Sequence, residues 1–247
     1  ALRAKLKELA LNMSRGGRRM ENKSLSCQIV YTSVATSAFE ALCYFLLHGS
    51  LPDGLDYRFS DLNFLLKQTL EQEAGKLHDF LESYGHYAFV TNRLAQQLDD
   101  ENLEQLLTRV RPSESKFVCL YVRLHLINYK EQFRAGRKQP FIERGVYRVV
   151  LWQLVLAYLY SEGKGRFTRK QLLLYTLRGM AAHYNISFHD FVGWMTGALQ
   201  ELQALQLYRT EFLSLLLEIE NETLDNRFGV DLGWSDKLFI QRFNCLF

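Results

Sequence analysis

The sequence predicts an all-α fold: about nine or ten helices joined by short loops into helical hairpins, as a compact bundle or a solenoid-like stack. Three observations carry this. The 247 residues contain only three prolines, at 52, 112 and 140, in a chain rich in Leu, Gln, Glu and Lys, which favour long helices. Apolar residues recur at three- and four-residue spacing through most of the chain, the period of one helix face. The alternation of strand and helix that a doubly wound sheet requires is absent.

The elements follow in order. "ALRAKLKELALNM" sets Leu2, Leu6, Leu9 and Met13 on one stripe with basic residues opposite, an amphipathic helix. Gly16-Gly17 in "SRGGRRMENKS" then breaks it, and this is the best candidate linker. The next helix opens near Ser33 or Thr36 and runs through Phe39, Leu42, Phe45 and Leu46. Gly49 can take the left-handed conformation that closes a helix, and Pro52 prevents a restart there. Ser60 is read as the N-cap of a helix whose stripe is Leu62, Leu65, Leu66 and Leu70. Gly75 and Gly85 bracket a short helix around "KLHDFLES", and "VTNRLAQQL" is another. Asp99-Asp100 cap "ENLEQLLTRV", which Pro112 ends.

The second half starts at "ESKFVCLYVRLHLINYKEQF". Alternation in "VCLYVRLHL" hints at a strand, but length and context favour a helix. "RAGRKQP", 134–140, reads as a basic loop, and 142–160 as a core helix closed by "SEGKGR". Thr168 with Gln171, and Ser187 with Asp190, have the spacing of reciprocal N-terminal caps. A long helix is expected from Asp190 to about Ile219, and the glycine-containing tail is left between irregular chain and a short strand. The domain reading is a basic arm and linker, 1–26, two helical subdomains, 27–112 and 113–220, and a tail, 221–247.

Charge is unevenly placed. Residues 1–26 hold seven Lys/Arg against two Glu, while the remainder carries 23 basic and 25 acidic residues. The body is thus nearly neutral and the N-terminal segment is a basic arm, with Arg15, Arg18, Arg19 and Lys23 as its candidate partner-binding residues. Cysteines at 27, 43, 119 and 245 show no CxxC spacing, so reduced, mostly buried thiols in a cytoplasmic product are expected. The most apolar stretch, "VYRVVLWQLVLAYLY" at 146–160, is short for a membrane span and contains Arg148 and Gln153. The chain begins at Ala1 rather than Met, and is read as a piece of a longer protein or a processed product.

The search for chemistry finds no enzyme site, metal or cofactor. The six histidines, at 48, 78, 86, 125, 183 and 189, form no HExxH. His78-Asp79 and His189-Asp190 are neighbours on helices, so their side chains point about 100° apart. "SEGKGRFT" lacks the GxxxxGK[ST] frame of a phosphate loop, and no GxSxG elbow occurs. The four cysteines have no basic sequence neighbours to activate a thiolate. The basic arm and "YKEQFRAGRK" have the charge to meet phosphates, but the slightly acidic body argues against nucleic acid as partner. Trp152 and Trp194 are expected in the core. "LHDFL" at 77–81 and "FHDFV" at 188–192 echo each other, though unequal spacing before them argues against a duplicated module.

Three segments in order resemble the tape-measure protein family of contractile injection systems, the phage-tail-like particles of bacteria. They are "ALCYFLLHGSLPDG", with its G-x-L-P turn; "FVTNRLAQQLDDENLEQLLTRVRPSE", an Arg-Leu helix, a polar break, a Leu-rich helix and a Pro; and "VLWQLVLAYLYSEGKGRFTRKQLLLYTLRGMAAHYNISFHDFVGWM". Asp53-Gly54 follow the turn proline where the family tends to carry tryptophan. The resemblance implies a non-enzymatic structural protein acting in tube assembly or length control. Its implied partners are other particle components, the tube, baseplate hub or cap, with no small-molecule substrate and with a homo-oligomer left open. Its implied location is the cytoplasm during assembly and then the particle. A compact chain of this length has a radius of gyration of about 18 Å, whereas one helix of that length would extend ~370 Å. The capped, core-type helices specify the first geometry, so a globular docking portion is expected rather than a ruler. The alternative is a free all-α adaptor or solenoid that binds a protein or nucleic acid through its basic arm.

Overall fold

In a computed structural model of the chain, the structure describes residues 37–53, 61–134, 143–162, 166–201 and 206–225, and these contain helices and no strand. Ten α-helices are formed among them: α1 (Ala38–His48), α2 (Leu62–Gln72), α3 (Ala74–Tyr84), α4 (Ala88–Gln97), α5 (Asp100–Val110), α6 (Pro112–Arg134), α7 (Arg144–Ala157), α8 (Arg169–His183), α9 (Phe188–Glu201) and α10 (Gln206–Asp225). The all-α expectation is met. A π-turn, Tyr158–Glu162, extends α7.

Capping side chains set most starts. Ser37, not Ser33 or Thr36, caps α1 by accepting from the Glu40 N–H at 3.1 Å. Asp61 caps α2 through the Asn63 N–H at 2.9 Å; Ser60, the expected cap, lies outside the described residues. Asp99 caps α5 through the Asn102 N–H at 2.8 Å, and Thr168 caps α8 through the Gln171 N–H at 3.2 Å. Pro112 ends α5 and also opens α6, a position where its missing N–H costs nothing. The α2–α3 break falls at Glu73 (φ −138°, ψ 33°), so Gly75 lies inside α3 rather than bounding it.

The residues that hinted at a strand lie within α6. Val118, Tyr121, Val122, Leu124 and His125 are buried, a three-and-four spacing that gives one helix face. α7 is buried almost throughout from Val150 to Ala157, Trp152 included. One apolar core runs from Leu42 in α1 to Ile219 in α10, and a small satellite of Ala38, Ala41 and Leu65 seals α1 on α2. α4 packs on α7, α5 on α6, and α7 on α8.

The long helix expected from Asp190 to Ile219 is instead two helices, α9 and α10, packed against each other. A Cβ placed on Gly193 would lie 3.7 Å from Glu220 Oε1. In one continuous helix those residues would stand ~40 Å apart. The α10 stripe of Phe212, Leu216 and Ile219 is buried in the shared core.

Candidate functional site

The first and second of the three sequence segments meet at the end of α1. Gly49 is left-handed (φ 80°), and its N–H donates to the Phe45 carbonyl at 2.7 Å. Arg93, from α4, donates through Nη1 to the Leu46 carbonyl at 2.6 Å. That satisfies one of the carbonyls a helix end leaves unpaired. A Cβ on Gly49 would sit 2.9 Å from Arg93 Nη2, the far end of a flexible side chain that can shift, so it is the positive φ that favours glycine at this turn. The guanidinium also lies 5.2 Å from the centroid of Phe89.

The second and third segments meet at Arg111 and at Trp152, the latter beside Arg148, which stands two residues before the third segment. Arg148, on α7, donates to Asp100 Oδ1 at 2.6 Å and to the carbonyls of Ala95 and Leu98 at 2.9 and 2.5 Å. Trp152 Nε1–H donates to the same Asp100 oxygen at 2.8 Å. One guanidinium thus closes the end of α4 and the start of α5, with the negative Asp100 favoured in that first turn. Arg111 pairs with Glu82, donates to the Leu159 carbonyl in the π-turn at 3.2 Å, and lies 5.3 Å from the Tyr160 ring centroid. Gly85 lets Tyr160 come this close, since a Cβ there would stand 2.7 Å from its ring.

A buried polar cluster lies deeper. His125 Nδ1 is 2.8 Å from the Tyr147 hydroxyl, and Tyr121 Oη is 2.6 Å from Thr176 Oγ1. Complete burial pushes the His125 pKa down to about 3, so its ring is neutral at ordinary pH. Burial likewise raises the Tyr121 and Tyr160 hydroxyls well above their usual range. Burial, with Glu104 nearby, pushes Cys119 up to about 11, which makes it a poor nucleophile. Cys43 and Cys119 are free thiols. No group of three or more His, Cys, Asp or Glu among the described residues is placed to hold a metal. Asp79 and Asp190 both face solvent, as the His-Asp neighbour geometry predicts.

On the surface, Phe80, Tyr84, Tyr87 and Phe89 form a chain of rings at the α3–α4 turn, with centroids 5.0, 6.4 and 5.4 Å apart. Tyr84 and Phe89 are 37% and 41% exposed, which makes this a wet edge of the core rather than its interior.

The three segments are therefore joints between helices, and each joint is an arginine on another element's carbonyls. The family model for the contractile injection system tape measure protein matches residues 2–226. The chain belongs to this family. No curated protein and no solved structure matches it.

As a member of the tape measure family, the chain is a structural component of a contractile injection system, part of the particle and in contact with its other components. No helix among the described residues is long and apolar enough to cross a membrane. The predicted partner-binding residues Arg15, Arg18, Arg19 and Lys23 lie outside the described residues, as does most of the basic loop 134–140. Trp152 is buried and Trp194 half-buried, while Trp234 lies outside the described residues. Sequence reasoning missed Arg93, Arg111 and Arg148. The available signal was a charge inside an apolar run, plainest in "VYRVVLWQLV", where an arginine with apolar neighbours must reach acceptors on other elements.

Proposed function

We propose that this chain is the globular docking portion of a tape-measure-type protein, acting in tube assembly or length control. The observation that carries this is the set of arginine joints: the segments that resemble the family fix short helices against one another. α6, the longest described helix at 23 residues, spans only ~35 Å. Measurement by extension is then the task of a segment other than this folded body. Residues 27–112 and 113–220 are two helical subdomains that share one apolar core, with 221–247 as a tail.

In this reading the arm, 1–26, tethers the body to an acidic surface of the tube, hub or cap through Arg15, Arg18, Arg19 and Lys23. Assembly takes place in the cytoplasm, and no catalytic step is involved. The experiment compares the intact chain with one lacking residues 1–26, at physiological salt, for incorporation into assembled particles and for nucleic acid binding. Reduced incorporation with negligible nucleic acid binding supports the docking role. Tight nucleic acid binding that is lost on truncation favours the adaptor reading instead. Lower stability with unchanged incorporation assigns the arm to packing alone.

A further inference from the structure

We propose that two buried hydrogen bonds, Tyr121 to Thr176 and His125 to Tyr147, select the rotational setting of α6 from two settings that apolar burial does not tell apart. The first observation is the composition of α6. From Phe117 to Ile127 every residue but Arg123 and His125 is apolar or aromatic. A helix that is apolar almost all round does not specify by hydrophobicity which face turns inward. The structure buries Phe117, Val118, Tyr121, Val122, Leu124 and His125, an arc of ~160° at about 100° per residue. It leaves Ile127 52% exposed and Leu120 only partly buried. Turning α6 by about 60° would exchange Val118 and Val122 for Leu120 and Ile127 and keep the other four inside. Each residue gained is one methylene larger than a valine lost, so area removed from water does not favour the observed setting.

The second observation is the polar contacts on the inner face. Thr176 Oγ1, on α8, donates to the Leu172 carbonyl at 2.8 Å, so the Tyr121 hydroxyl is the donor in its 2.6 Å bond to Thr176. His125 Nδ1 shares a 2.8 Å hydrogen bond with the Tyr147 hydroxyl of α7. All four side chains are buried, so breaking either bond strands polar atoms away from water. A turn of about 60° carries the tips of Tyr121 and His125 several ångströms, outside hydrogen-bond reach. The other contacts do not choose. Arg123, which pairs with Glu104, has a side chain 63% exposed and long enough to follow the turn. Phe117, stacked on Phe212 of α10 at 4.6 Å, lies inside both arcs. The two bonds reach different helices, α8 and α7, and together they fix one angle, the registry role in which buried polar pairs are best attested.

The test reads rotation directly, in the full chain. Ile127→Cys and Val122→Cys, made separately, each report one edge of α6 by maleimide labelling, resolved to the single residue by mass spectrometry. In the otherwise native chain position 127 labels and position 122 is protected. The background without the two bonds carries Tyr121→Phe, Thr176→Val, His125→Phe and Tyr147→Phe. There labelling is expected to slow at 127 and quicken at 122, each by about tenfold, as the second setting becomes populated, with the helical circular dichroism unchanged. Unaltered labelling at both positions shows that packing alone selects the setting and overturns the proposal. Quickening at both positions is local opening rather than rotation, and overturns it too. If the four changes together unfold the chain, the Tyr121→Phe, Thr176→Val pair and the His125→Phe, Tyr147→Phe pair are tested separately. Each pair must then move the two positions in opposite directions, and a shift in the same direction, or none, overturns the proposal.

Discussion

At the scale of single residues, Gly49 and His125 carry the sharpest consequences. Gly49 combines positive φ with the Arg93 guanidinium in the space a side chain would need. Gly49→Val is expected to lower stability by about 1–2 kcal/mol or more, the cost of a left-handed non-glycine residue. Gly49→Asn should lose clearly less, since Asn tolerates that conformation. Thermal melting of the two variants checks this, and equal losses would mean that conformation is not the governing term. His125 makes stability depend on pH. Its folded pKa is about 3 against an ordinary 6.5, so between those values the unfolded chain takes up a proton that the folded chain refuses. The contribution is intact above pH 6.5 and is lost as pH falls towards 3, at up to about 1.4 kcal/mol per unit. Urea unfolding at pH 7, 6 and 5 should show a shallower fall for the His125→Phe, Tyr147→Phe double variant, which removes both partners of that hydrogen bond. Parallel falls would place the acid sensitivity elsewhere.

At the scale of elements, the helices are set by caps more than by breakers. Asp99 is the clearest, because its carboxylate takes both the backbone N–H and the side-chain Nδ2 of Asn102, at 2.8 and 2.9 Å. Asn102 in turn donates to Asn63 Oδ1 of α2 at 2.9 Å, so one cap also ties α5 to α2. Asp99→Ala should cost about 1 kcal/mol, the usual worth of such a cap, and Asp99→Asn much less. A denaturant midpoint that moves equally for both would show that the negative charge, not the capping oxygen, is what counts. The interior glycine Gly75 shows the limit of punctuation as a guide. It has the composition of a boundary, but the boundary falls at Glu73, whose carboxylate holds Lys76 at 2.5 Å.

At the scale of the whole molecule, the described helices share one apolar core from Leu42 to Ile219. Unfolding should therefore be a single transition. Leu42→Ala in α1 and Phe212→Ala in α10, each expected to cost about 2–5 kcal/mol, should lower the same midpoint; two separately shifted transitions would divide the core. The sequence by itself determined the helical class, most helix positions, the Gly49 stop, the Asp99 and Thr168 caps, and the family. All of these rest on near-neighbour chemistry: periodic apolar residues, hydroxyl and carboxylate caps, and glycine at positive φ. Only the tertiary structure decided that Arg93, Arg111 and Arg148 close other elements' helix ends, that His125 is buried and neutral, and that 190–219 folds back as two helices. Those depend on groups brought together from positions tens of residues apart. Burying Phe212, Leu216 and Ile219 of α10 in the shared core is a term that no reading of neighbours along the chain contains.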